Sequence, residues 1–70
     1  MNKHPFEYQA PTPEHVAKIN RLREAMSEVY EHMLAQVPAC AERTLAIRHL
    51  EESNMWANKA IVFDGEGYPR

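Results

Sequence analysis

Seventy residues with a formal net charge of −2 and a single cysteine, Cys40, set narrow limits. A chain this short buries only about 60% of its unfolded surface, so small proteins add disulfides, a metal or a partner subunit. One thiol excludes an internal disulfide, and the charge argues against a duplex nucleic-acid binder, which works by neutralising phosphates.

The residues after Met1 carry no apolar stretch of the kind that makes a secretory signal. The longest apolar run, Ala60 to Phe63, is far below the ~20 residues that cross a bilayer. No membrane partner is expected, and a lone thiol suits the reducing cytoplasm.

Residues 1–11 form an arm in which Pro5 and Pro11 bracket Phe6 and Tyr8. Two prolines so close disfavour a long helix. The aromatics between them need a surface or a planar ligand to pack on. Thr12-Pro13-Glu14 is a helix start: a hydroxyl for the N-cap, proline where its missing N–H costs nothing, and an acid at the positive end of the dipole. Ile19, Leu22, Met26, Val29 and Met33 then follow at spacings of 3, 4, 3 and 4, the seam of a coiled-coil helix, with Val16 and Val37 extending it loosely. The first helical segment, caps included, is 12–37, and Pro38 ends it.

The loop 38–40 is so short that the second helical segment, 41–63, must return antiparallel to the first. Its seam of Ile47, Leu50, Asn54, Ala57 and Ile61 has the same spacing. Leu45, His49, Trp56 and Ala60 make a second stripe beside it, and Met55 adds to the apolar surface. One partner helix cannot cover both faces, and a large exposed apolar patch usually marks an interface. The expected fold is an all-α antiparallel two-helix hairpin that assembles into a homo-oligomer. Residues 64–70 hold both glycines and read as a flexible tail or a strap over a neighbour.

Chemistry-bearing residues are sparse. His4, His15, His32 and His49 lack the short spacing of a zinc site, and Glu14–Lys18 and Glu28–His32 are ordinary i,i+4 pairs. Cys40, at a helix N-terminus, is either a small cap residue or a thiol of lowered pKa, and the cap is the simpler reading. Asn54 on the seam fixes register or meets a ligand. Trp56 is an interface anchor, a core residue or a stacking platform. No triad, carboxylate dyad or phosphate-cradling glycine loop is present, so no enzyme, metal or cofactor is expected. Lys18, Arg21 and Arg23 crowd the first helix and Arg48 lies on the second. Arg43 and Thr44 occupy the first turn of the second helix, where backbone N–H groups attract anions. Arginines near an aromatic arm are the ingredients of a nucleotide site, with stacking for a base and guanidinium for a phosphate.

Residues 42–61, and above all the run HLEESNMWANKAI at 49–61, resemble the signature of the phage anti-CBASS cyclic-nucleotide sponges, whose helical hairpin is shared with the anti-Thoeris sponge. Phe6, Tyr8, Pro11 and the Thr12-Pro13-Glu14 start are similar to the arm of that family. The resemblance implies a homo-hexamer that sequesters cyclic oligonucleotides without cleaving them, in the host bacterial cytoplasm during infection. It assigns cyclic dinucleotides to pockets between protomers, with Tyr8 as the stacking aromatic beside Phe6 and Arg23 as the basic group. Arg43 and Thr44 match a second site for cyclic trinucleotides. Two alternatives stay open: a hairpin assembly module with no nucleotide ligand, and a sponge for cyclic ADP-ribose isomers.

Overall fold

The computed structural model describes residues 4–65, so the expectations for 1–3 and for the tail at 66–70 lie outside the described residues. Two helices account for most of the described chain: α1, Pro13–Gln36, and α2, Ala41–Val62. They pack against each other as a hairpin, and there is no strand among the described residues.

The ends of α1 follow from local chemistry. Thr12 is extended (φ −79°, ψ 164°), and its Oγ1 accepts the His15 N–H at 3.1 Å. The His15 ring reciprocates, its Nδ1 accepting the Thr12 N–H at 3.1 Å. This is a capping box with histidine in the place usually held by Glu or Gln. At the other end Val37 is extended and its N–H still reaches the Met33 carbonyl at 3.0 Å before Pro38 ends the helix. Thr12→Ala removes one half of the box and is expected to cost about 1 kcal/mol in a urea melt.

The end of α2 is closed by backbone alone. Gly65 N–H bonds the Ala60 carbonyl at 2.9 Å and Asp64 N–H bonds that of Ile61 at 3.1 Å. These are the paired bonds of a Schellman motif. Asp64 and Gly65 both lie in the left-handed region, at φ 52° and 74°. The first two residues of the expected flexible tail are therefore a helix stop.

What the hairpin lacks is an interior. The seam side chains Ile19, Leu22, Met26 and Met33 on α1 are only half-buried, as are Ile47, Leu50, Ala57 and Ile61 on α2. Val29, the fourth of the five α1 seam positions, is exposed. Phe63 is the buried hydrophobic among the described residues, at 8% exposure. The second stripe stands open: Leu45, His49, Trp56 and Ala60 are all exposed, Trp56 at 55%, and so is Met55 beside it. The radius of gyration is 14.7 Å, against about 11 Å for a compact globule of this length. Two long helices side by side make a rod with two apolar faces rather than a globule around a core.

Candidate functional site

The arm turns beside the C-terminal end of α2. Glu7 N–H bonds the His4 carbonyl at 3.2 Å, and Phe6 N–H bonds His4 Nδ1 at 3.2 Å, which makes a tight turn around Pro5. Between this turn and α2 lies an open groove of about 520 Å³, whose walls include Phe6 and Tyr8 on one side and Asn58, Lys59 and Phe63 on the other. The two aromatics present nearly all their surface to solvent, Phe6 at 91% and Tyr8 at 85%. An aromatic ring held on a turn with its face free is available for stacking on a planar ligand.

Lys59 supplies the positive charge of this groove, and Glu7 on the arm a negative one. Its ammonium lies 5.9 Å from the Trp56 ring centroid and 5.4 Å from that of Phe63, within reach of cation–π attraction to both. It also stands in the last turn of α2, at the negative end of the helix dipole. The sequence reading passed over Lys59. The i,i+3 and i,i+4 spacing of Trp56, Lys59 and Phe63 was the signal for it.

Arg23 belongs to a different groove. It lines a cleft of about 340 Å³ between the helices with Ser27, Tyr30, Glu51 and Asn54, over a floor that includes Met26 and Leu50. Its Nη2 donates to Asn20 Oδ1 at 2.6 Å. Arg23 lies eight residues beyond His15, about 12 Å down the helix from the arm's point of attachment. One chain does not bring Tyr8 and Arg23 into a common groove. Asn54, on the α2 seam, turns its Oδ1 inward without a hydrogen-bond partner, and Asn58 one turn later does the same.

Arg43 and Thr44 lie at the opposite end of the hairpin. Arg43 Nη1–H donates to the Val37 carbonyl at 3.3 Å, tying the end of α1 to the start of α2. Thr44 Oγ1 donates to the Cys40 carbonyl at 3.3 Å. Cys40 is the N-cap of α2, exposed, and its side chain makes no capping bond. No side chain therefore caps the first turn of α2, beside which a guanidinium and a hydroxyl stand together. Among the described residues no three His, Cys, Asp or Glu side chains converge on a point that could hold a metal. Among the described residues no helix is long and apolar enough to cross a membrane.

An aromatic arm, a cation near two rings and two grooves that each hold one cation on a hairpin with little interior have a counterpart among known families. The family model described as the Acb2/Tad1 hairpin domain matches residues 1–62. The chain belongs to this family, that of the anti-CBASS and anti-Thoeris sponges. The match takes in the arm, both helices and the loop, so it includes Phe6, Tyr8, Arg23, Arg43 and Thr44. Membership brings a sponge-type anti-defence role in general, a domain that binds small cyclic nucleotide molecules and is non-catalytic. No curated protein and no solved structure matches the chain.

Proposed function

We propose that the protein sequesters cyclic oligonucleotide second messengers, cyclic dinucleotides foremost, and so blocks CBASS-type immunity in the cytoplasm of an infected bacterium. The observation that carries this is the family match over the arm and both helices. The geometry agrees with it. Tyr8 and Phe6 offer exposed rings for bases, and Arg23 and Lys59 bring positive charge into grooves that also hold Glu51 and Glu7, on a chain of net charge −2. Because Tyr8 and Arg23 line separate grooves in one chain, the pocket takes the arm of one protomer and α1 of another. A homo-oligomer, hexameric in this reading, then buries the ligand that one rod cannot enclose. Arg43 and Thr44, beside the uncapped start of α2, are the proposed contacts for cyclic trinucleotides.

The test has two parts. The purified protein is screened by thermal shift against cyclic di-AMP, cyclic GMP–AMP, a cyclic triadenylate and a cyclic ADP-ribose isomer. A ligand at a hundredfold over its dissociation constant raises stability by about 2.7 kcal/mol, and the cyclic dinucleotides are expected to give the largest rise. A rise with the ADP-ribose isomer alone would transfer the protein to Thoeris. The bound ligand is then released by heating and run on a column. Intact cyclic nucleotide is expected, since a sponge acts by lowering free ligand. Linear product absent from a boiled-protein control would make the chain an enzyme, and no binding at all would leave an assembly module.

A further inference from the structure

His15 is buried to 8% exposure on a hairpin that buries almost nothing else. Its ring is used at both nitrogens. Nδ1 accepts the Thr12 N–H, so the ring proton sits on Nε2, which donates to Asp64 Oδ1 at 2.8 Å. The bond spans 49 residues and joins the first turn of α1 to the stop of α2. Asp64 makes it from a left-handed backbone position, φ 52°, where glycine is the residue of least strain. Glycine would close the Schellman motif at lower cost but could not reach His15. The arm leaves α1 through Thr12, the residue His15 holds, and Pro5 to Gln9 share a groove with Asn58, Lys59, Val62 and Phe63 at the end of α2, Phe63 being the residue before Asp64 in the chain.

We propose that His15 and Asp64 are positioning residues for the aromatic arm: a clasp that docks residues 5–9 against the end of α2 and holds Tyr8 ready to stack. The ligand half of this proposal rests on the nucleotide-sponge reading; the docking half does not. A ligand that needs a docked arm binds in proportion to the fraction of time the arm is docked. If loss of the clasp leaves the arm docked a tenth of the time, affinity falls about tenfold.

Asp64→Gly and Asp64→Asn separate the clasp from the fold. Glycine suits φ 52° and leaves the helix stop intact, so its helical circular dichroism is expected to match the parent's. Asparagine tolerates the same backbone and keeps an oxygen for the Nε2–H. Backbone ¹⁵N relaxation of residues 6–9 reads docking directly: order is expected to fall in Asp64→Gly and to be retained in Asp64→Asn. Calorimetry with cyclic di-AMP is expected to show about tenfold weaker binding for Asp64→Gly and parental binding for Asp64→Asn. An arm as ordered in Asp64→Gly as in the parent overturns the clasp, as does loss of order in the asparagine variant to the same degree. A parent that ignores cyclic di-AMP counts against the sponge reading alone, because the relaxation data still decide the clasp.

Discussion

Sedimentation of the protein at micromolar concentration is expected to show no folded species near 8.1 kDa, and Trp56→Ala is expected to break the assembly. The argument is one of surface. No seam side chain is more than half-buried, Val29 is exposed, and Leu45, Met55 and Trp56 are exposed outside the seam of α2. Ordering a residue costs about 1–2 kcal/mol of backbone entropy, and a rod without an interior has little apolar burial to set against it. Trp56 is already oriented for an interface: its indole N–H donates to Glu52 Oε1 at 3.3 Å, and Lys59 lies over its ring. The size of the effect discriminates between states. In a lone hairpin the ring is more than half exposed, so its removal changes stability little. In an assembly that covers it, Trp→Ala falls among core truncations, about 3–5 kcal/mol. The melting point of an obligate oligomer also rises with concentration. A clean, folded monomer with a concentration-independent melt, indifferent to Trp56→Ala, would end the oligomer reading.

The helices were legible because their signals are local and redundant. Pro13 after Thr12, Pro38 after Val37, and two seams of equal spacing each point to the same hairpin, and the helices found are 24 and 22 residues long. The open stripe was legible for the same reason, since periodicity alone places Leu45 and Trp56 off the seam. What the sequence hid depends on contacts across the chain. His15 reads as one of four scattered histidines until α2 returns beside α1 and brings Asp64 to its ring. Its local half, the Thr12-x-x-His15 box, was within reach, but histidine is not the residue expected at that position. Asp64 and Gly65 read as the start of a loose tail, because two consecutive left-handed residues are a property of the helix stop and not of composition. For the candidate site, residue types were legible and grouping was not: nothing in one dimension says that Tyr8 and Arg23 line separate grooves.

That separation gives the second large effect. Arg23→Glu is expected to lose more dinucleotide affinity than Arg23→Ala, because a carboxylate repels the phosphate the guanidinium would meet. Tyr8→Ala is expected to lose about 1–3 kcal/mol, the worth of one base–aromatic stack. Tyr8 is exposed and Arg23 bonds only a side chain one turn away, so both variants are expected to fold. Alone, each leaves every pocket damaged. In a pocket built between protomers, the stacking ring and the guanidinium come from different chains. Unfolding the two variants together at equal concentration and refolding them scrambles the protomers. A pocket is whole where the Arg23→Glu chain lends its Tyr8 and the Tyr8→Ala chain lends its Arg23, which is about a quarter of pockets in a symmetric assembly. Equilibrium dialysis with labelled cyclic di-AMP is therefore expected to recover about a quarter of the parent's high-affinity sites from the refolded mixture, and none from either variant alone. If both residues served one pocket within a single chain, mixing could repair nothing, and the refolded sample would bind as poorly as its parts.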